Sequence, residues 1–246
     1  MSRTTAPDPT TPGDTPARTV WDPRGYYRRA LAVVAPIPLA AMGLVYLLQP
    51  APAGGTFEQT YAAVVDNPGI VNALTPLAWL FFAFLIPAVL AAAAVSWRRV
   101  PRLTAIAASF CLPAFAAAFG SLPPGSDLHA LLTHNLGLDV ADQAALEVAW
   151  WEQPVALISS LLFLVGIVIG LSLLGIALWR SRRVPTWMAI ALILGAATHP
   201  FLPTNTAQGI GLLVAAVGFS GASLALLRMT NDQFAPNSTP GSTPVV

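Results

Sequence analysis

The chain has 246 residues, of which 55% are hydrophobic and only 9% are charged, whereas a soluble domain has roughly 25% charged residues. This composition excludes the soluble class and predicts an integral membrane protein, and a net charge of +1 gives no reason to expect a nucleic-acid partner. All basic residues are arginines, so no lysine Schiff base can form. The single cysteine excludes intrachain disulfides and cysteine-pair metal sites.

Six apolar segments predict helices that cross the membrane, since a hydrocarbon core of about 30 Å needs about 20 helical residues. The fold class is therefore all-α, a polytopic bundle of six transmembrane helices in one domain, residues 28–228. Residues 1–27 and 229–246 are rich in Pro, Thr and small polar groups, which predicts disordered tails. The predicted spans are residues 30–48, 70–95, 103–119, 154–179, 185–201 and 207–227.

The first span has two interpretations. Pro36 and Pro38 are expected to bend a membrane helix here, because proline removes a backbone donor. Alternatively, Arg28 and Arg29 resemble the start of a twin-arginine signal, with a small-residue cleavage site at Ala51-Pro52-Ala53. We favour an uncleaved span, because the segment is long for a signal and further spans follow.

Two segments between the spans predict helices outside the membrane. Thr56 and Gln59 match a capping box that begins a short amphipathic helix. Residues 120–153 predict two more amphipathic helices that cap the outer mouth of the bundle, the second beginning at Asp139. The apolar stripe of the first is predicted to be Leu128, Leu131, Leu132 and Leu136.

The arginines predict the orientation of the bundle, because cytoplasmic loops carry an excess of basic residues. The segments predicted to be outside contain seven carboxylates and no arginine. Both termini are therefore expected in the cytoplasm, and the outer face is expected to be negative. The topology determinants are Arg28, Arg29, Arg98, Arg99, Arg102, Arg180, Arg182, Arg183 and Arg228.

Two of the predicted cytoplasmic turns have similar sequences, residues 97–106 and 182–190. If they are related, the second and third spans repeat as the fourth and fifth, in the same direction, as in some transporters. Basic residues followed by a proline are also common in turns between helices, so both interpretations stay open.

Small residues line two of the spans at helical spacing. Such faces allow helices to approach closely, and we expect them to pack within the bundle rather than across a dimer interface. The residues are Gly166, Gly170 and Gly175 in the fourth span, and Gly211, Ala215, Gly218 and Ala222 in the sixth.

Polar candidates for a site are few. His129, His134 and His199 are the candidate metal ligands, but no metal motif joins them and a capping or interfacial role is the default. Candidate catalytic acids are Asp66, Asp127 and Glu152, which lie nearest the predicted outer membrane edge; solvated loop acids are the simpler interpretation. No Asp, Glu, Lys or Arg lies inside a predicted span, which argues against proton pumps and carboxylate-coupled transporters.

The turn at residues 173–187 matches the pattern LLGxALWRSRxVPxW. With the final apolar segment LLVAAVGFSGASLALLR, it resembles a family of six-span membrane proteins of high-GC actinobacteria. The resemblance covers most of residues 28–228 and implies a multi-pass protein of the plasma membrane. That family has no assigned activity, so the resemblance transfers no functional residue.

We therefore expect a non-enzymatic bundle that binds a small apolar molecule or lipid, or acts as an accessory subunit of a membrane partner protein. The alternative is a membrane-embedded enzyme that acts on a lipid or isoprenoid through an outer-rim carboxylate. A secondary transporter is a third hypothesis, favoured by the repeat and opposed by the uncharged spans. The sequence predicts no cofactor and no metal.

Overall fold

The computed structural model describes residues 22–118 and 127–235. It is 84% helix, and these two ranges contain no strand, which confirms the all-α prediction. The helices are α1 (Arg24–Val34), α2 (Ile37–Leu48), α3 (Phe57–Asp66), α4 (Pro68–Ser96), α5 (Pro101–Ala117), α6 (Asp127–Leu136), α7 (Val140–Trp151), α8 (Pro154–Val165), α9 (Leu171–Ser181), α10 (Thr186–Thr198), α11 (Asn205–Arg228) and α12 (Asn231–Phe234). A π-turn, Gly166–Gly170, joins α8 to α9, and a 3₁₀ turn, His199–Phe201, ends α10.

Within the described ranges, four helical stretches are long and apolar enough to cross a membrane. They are Arg24–Leu48, Pro68–Ser96, Pro154–Ser181 and Asn205–Arg228, the shortest having 24 residues, which corresponds to about 36 Å at 1.5 Å per residue. The third and fifth predicted spans are shorter apolar helices, Pro101–Ala117 and Thr186–Phe201. Their lengths are about 26 Å and about 24 Å, less than a hydrocarbon core of about 30 Å.

The first long stretch is broken where its prolines predicted a bend. α1 ends at Val34, and Ala35 and Pro36 form a turn before α2 begins. Pro36 has no N–H to continue the helical ladder. The Ala35 N–H still donates to the Leu31 carbonyl at 3.0 Å, and α2 follows α1 within one apolar helical stretch.

The predicted topology-determining arginines gather at one end of the bundle, which we call the arginine end. Arg28 Nη1 donates to the Leu226 and Leu227 carbonyls at 2.7 and 3.1 Å, so the start of α1 meets the end of α11. The turn before α10 lies here too, because Val184 packs beside Gly221 of α11. The turn between α4 and α5 completes this end, since burial and then the charges of its Arg99 and Arg98 lower the pKa of the Arg183 guanidinium.

Three amphipathic helices, α3, α6 and α7, form a cap at the opposite end of the bundle. Phe57 and Val64 of α3 form a small apolar core with Ala130 and Leu131 of α6 and Val71 at the start of α4. The predicted capping box is confirmed, since the Gln59 N–H donates to the Thr56 hydroxyl and the Thr56 N–H donates to the Gln59 side chain. The Asp139 side chain likewise accepts from backbone N–H groups in the first turn of α7.

The predicted stripe of α6 is wrong in part. Leu131 is buried, but Leu132 and Leu136 are 46% and 68% exposed. The face that packs in the cap instead uses Ala130 and Thr133, which are fully buried. Small side chains let α6 lie close to α3, and this close approach directs the two larger leucines outward.

The structure also differs from the predicted tails at their inner edges. Residues 24–27 are helical, and α12 lies within the segment predicted to be disordered. The helical residues 24–27 and α12 are held together by Arg24, which forms ion pairs with Asp22 and with Asp232 at 2.8 and 2.9 Å. Residues 1–21 and 236–246 lie outside the described ranges, as do residues 119–126, which hold the end of the third predicted span and the start of the outer segment.

The predicted small-residue faces lie against neighbouring helices of the same chain. Gly166 and Gly170, within the π-turn, approach Ala114 and Cys111 of α5, and Gly175 approaches Ile193 of α10. On α11, Gly211 lies against His199 and Gly218 against Leu192, while Ala215 and Ala222 are buried. The sequence analysis missed Gly195 of α10, whose Cα faces the backbone of Gly211 and Ala215.

Candidate functional site

A cavity of about 600 Å³ lies at the cap end of the bundle. Its walls come from α2, the first half of α4, the start of α11 and the cap. This is the size range of small-molecule sites in proteins. The lining residues used below are Met42, Val45, Tyr46, Gln49, Thr60, Leu74, Ala78, Trp79, Phe82, Asp127, Asn205 and Gln208.

Much of the cavity lining is apolar. Met42 and Val45 of α2 contribute to it, as do Leu74, Ala78 and Phe82 of α4. The small side chain at Ala78 leaves room that a larger residue would occupy. The cavity also borders the outer surface of the bundle, because Trp79 lines it and is 56% exposed. These walls suit a hydrocarbon or ring system rather than a fully hydrated solute.

The polar groups are concentrated where the cap meets the bundle. The Asn205 amide donates to the Ala51 carbonyl at 2.6 Å, and Asn205 Oδ1 is buried and without a hydrogen-bond partner among the described residues. The Gln208 amide donates to the Leu202 carbonyl at 2.8 Å. These two hydrogen bonds hold the start of α11 against the segments that follow α2 and α10.

Asp127 is the charged group of the cavity. It is the first residue of α6 and lines the cavity beside Leu128. Burial raises the pKa of this carboxyl above its ordinary value, because removal from water disfavours the charged form. No arginine lies between Arg102 and Arg180 in the sequence, so none from the cap neutralises it. A cationic or hydrogen-bond-donating head group would complement this carboxylate.

The structure separates the three candidate acids. Asp66 is exposed at the end of α3, and Glu152 is exposed directly after α7. Of the three, Asp127 alone lines the cavity. All three were predicted only from their nearness to a span in the sequence, so burial by the cap is what distinguishes Asp127.

The three histidines lie in separate surroundings. His129 Nε2 is 2.8 Å from the Gln143 side-chain oxygen, and its ring packs on Phe57. His134 Nδ1 is 3.3 Å from the Tyr61 hydroxyl. Within the described ranges, no group of three or more His, Cys, Asp or Glu side chains is placed to hold a metal ion.

His199 lies behind the cavity wall. It is 6% exposed, and its Nδ1 is 3.2 Å from the Gln208 carbonyl oxygen. Its ring meets the edge of Tyr46, with the two ring centroids 5.5 Å apart. His199 thereby contacts two residues that line the cavity, Tyr46 and Gln208.

Comparison of the chain with protein families, curated proteins and solved structures finds no match. Sequence reasoning missed Tyr46, Gln49, Asn205 and Gln208. The sequence gives only a weak indication of these four residues. Each is a polar residue near one end of an apolar segment, where polar residues are common.

Proposed function

We propose that this chain is a six-span protein of the plasma membrane that binds an amphipathic molecule in the cavity at its cap end. The ligand has an apolar body, which lies between α2 and α4, and a cationic or hydrogen-bond-donating head, which meets Asp127. The observation that carries this proposal is a cavity with largely apolar lining and one partly buried carboxylate, that of Asp127. Such sites bind through the apolar walls and orient through a few polar groups.

The proposed orientation places the arginine end in the cytoplasm and the cap outside. The clustering of arginines at one end supports it, because basic residues are retained on the cytoplasmic side. In this arrangement α5 and α10 also cross the membrane. Both lie beside longer helices, and a local thinning of the bilayer or flanking residues would accommodate their shorter length.

Reporter fusions test the orientation. A fusion after Arg102 or Arg183, in the turns that join α4 to α5 and α9 to α10, is expected to report cytoplasm. A fusion at Gly137, between α6 and α7, is expected to report the exterior. The measurement is a paired phosphatase and fluorescent-protein assay for each site. The reversed pattern, or the same compartment for all three sites, would refute the proposed topology.

Replacing Asp127 tests the head-group contact. With dodecylamine as probe, Asp127→Asn is expected to weaken binding about tenfold, because the charge-assisted hydrogen bond is lost while the shape of the side chain is kept. Uncharged dodecanol should bind both proteins with similar affinity, because its hydroxyl can still donate to the amide oxygen that replaces the carboxylate. Asp66→Asn, on an exposed carboxylate of the same cap, is the matched control and should change neither affinity.

The pH dependence of the same titration gives a second measurement. Dodecylamine binding should weaken as the pH falls, because Asp127 takes up a proton and loses its charge. Since burial raises its pKa, this loss should begin at a higher pH than for an exposed aspartate. Equal effects of Asp127→Asn and Asp66→Asn on dodecylamine affinity would refute the assigned role of Asp127.

The raised pKa of Asp127 also favours one alternative, an enzyme that acts on a lipid or isoprenoid. A carboxyl that holds its proton at higher pH is a better general acid. Mass spectrometry of membrane lipids from cells with the wild-type chain or Asp127→Asn distinguishes the two functions. If the chain only binds lipid, Asp127→Asn changes the amount of lipid that copurifies with it. If the chain is an enzyme, Asp127→Asn changes which lipid species the cells contain.

A further inference from the structure

The cavity at the cap end lies between two separate apolar clusters. The main core contains Leu39 of α2 and, on α4, residues from Phe81 onwards. The small core of the cap includes Val71 of α4. The lining residues that α4 contributes to the cavity, from Val71 to Phe82, span the interval between the two clusters. α2 and α4 therefore pack together towards the arginine end and leave an unfilled space towards the cap.

This space follows the two helices lengthwise. The lining residues of α2 recur at helical spacing and therefore share one face; they are Met42, Val45, Tyr46 and Gln49. On α4 the lining extends from Val71 to Phe82, which is about 16 Å at 1.5 Å per residue. A long apolar chain that lies parallel to the helices suits a space of this shape, and the chains of bilayer lipids run in the same direction.

The side of the cavity at Trp79 faces the hydrocarbon of the membrane. Trp79 lines the cavity and is 56% exposed. It lies about 26 Å along α4 from Ser96, where the arginine turn begins, at 1.5 Å per residue, and a hydrocarbon core is about 30 Å thick. Leu80 and Leu90 of the same helix are exposed as well. The opening at Trp79 therefore meets acyl chains.

The polarity of the cavity changes along its length as the polarity of a lipid does. Asp127 and Asn205 line it at the cap end, and Met42 and Phe82 line it further towards the arginine end. A lipid in the adjacent leaflet has its head at the membrane surface and its chains towards the membrane centre. It could move sideways into the cavity without taking a charged head through the hydrocarbon, a step that is costly.

The charge at the cap end selects the head of such a lipid. Residues 30–97 and 103–179 contain no Lys or Arg, so neither the cap nor the helices that join it bring a fixed cation to a phosphate. The carboxylate of Asp127 lines the cavity, and Glu58 and Asp66 belong to the same cap. Like charges that are brought together at a site are repulsive. An amine head is therefore favoured over a phosphate head.

We propose that the ligand is a lipid of the surrounding bilayer, with a cationic amine head and no phosphate, which enters the cavity sideways between α2 and α4 at Trp79. This inference rests on the proposed binding function and adds the source of the ligand and its route. The head meets Asp127, while any length of chain that exceeds the cavity stays in the bilayer through the opening.

The test compares a lipid that cannot leave the bilayer with a probe that can. Dioctadecylamine has an amine head and two long chains, whereas dodecylamine also reaches the cavity from water. The full chain is reconstituted in phosphatidylcholine vesicles with a spin label on Trp79→Cys. Cys111 is the single native cysteine and is fully buried, so it does not compete for the label. Leu80→Cys is the matched control, because Leu80 is exposed at the same level of α4 and does not line the cavity.

The label at position 79 is expected to be more accessible to oxygen than to a water-soluble nickel chelate. Dioctadecylamine should immobilise this label and leave the label at position 80 unchanged. Phosphatidylglycerol with two chains of the same length should change neither. In the Trp79→Cys background, Asp127→Asn should raise the dioctadecylamine concentration needed for half of the change about tenfold.

Three results would overturn sideways entry and leave the proposed binding function in place. They are binding of dodecylamine without any response to dioctadecylamine, equal responses at positions 79 and 80, and greater accessibility of position 79 to the nickel chelate than to oxygen. An equal response to phosphatidylglycerol would overturn the amine head. If neither amine binds, the proposed function and this inference both fail.

Discussion

Replacing Gly195 by alanine is expected to destabilise the bundle by about 1–3 kcal/mol, the usual cost of overpacking a close contact. A Cβ at this position of α10 would meet the Gly211 carbonyl oxygen and the Ala215 backbone nitrogen, and would lie 2.8 Å from Ala215 Cβ. Two of these three atoms belong to the backbone of α11, so no side chain can rotate away. The helices must separate, and the contacts of Leu192 and Leu212 in the main core weaken with them.

The measurement is thermal unfolding of purified protein in one detergent, with Gly69→Ala as the control. Gly69 lies in the first turn of α4, and a Cβ there would meet nothing within 4 Å. The identical substitution should therefore be neutral or slightly stabilising at Gly69, because alanine favours a helix. Gly195→Leu should be more damaging than Gly195→Ala. Equal unfolding temperatures for Gly195→Ala and Gly69→Ala would contradict the close packing of α10 on α11.

Gly195 also illustrates which parts of the packing a sequence reveals. The small residues of α11 recur at helical spacing, so a close-packing face could be predicted from the chain alone. The helix that meets this face depends on tertiary arrangement. Gly195 is the single glycine of α10, and the alanines around it occur on several faces of that helix, so its sequence does not mark which face meets α11. The π-turn at Gly166–Gly170 is similar, because nothing in a GxxxG pattern distinguishes a wide turn from an ordinary helix.

The positions of the helices could be predicted from the sequence more accurately than their lengths. All six apolar segments form helices near the predicted boundaries, because runs of apolar residues and flanking prolines are local signals. From the same signals the fifth span was predicted to end at Phe201. In the structure α10 ends at Thr198 and is followed by a 3₁₀ turn. Pro185 also precedes the helix as its cap instead of being its first residue. For four of the six predicted spans, the helical stretch is therefore long enough by itself to cross a membrane.

The candidate site could be predicted only in part. Asp127 was among three acids chosen by their nearness to a span, and nothing local separated it from Asp66 or Glu152. The distinction comes from the cap, since α3 and α6 pack together and bring the start of α6 over the space between α2 and α4. A cavity is a property of residues distant in sequence. A cavity therefore leaves no periodic pattern in the sequence of any one helix that lines it.

Replacing Ala78 by phenylalanine is expected to weaken ligand binding by on the order of a hundredfold. Ala78 lines the cavity from α4, and a ring there would occupy space that the apolar body of the ligand needs. Loss of roughly 100 Å² of buried apolar contact costs about 2.5 kcal/mol at 25 cal/mol per Å², which accounts for nearly the whole effect. The fold should survive, because the ring enters an existing cavity.

Ala83→Phe is the matched control, since Ala83 lies on the same helix and is exposed. It should leave the affinity for dodecylamine unchanged. Ala78→Phe should weaken dodecylamine and dodecanol binding alike, because it blocks the apolar part of the cavity, whereas Asp127→Asn should weaken dodecylamine alone. If Ala78→Phe and Ala83→Phe bind both probes equally well, the ligand does not lie between α2 and α4. If Ala78→Phe affects dodecylamine only, the cavity recognises a charged head without holding an apolar body.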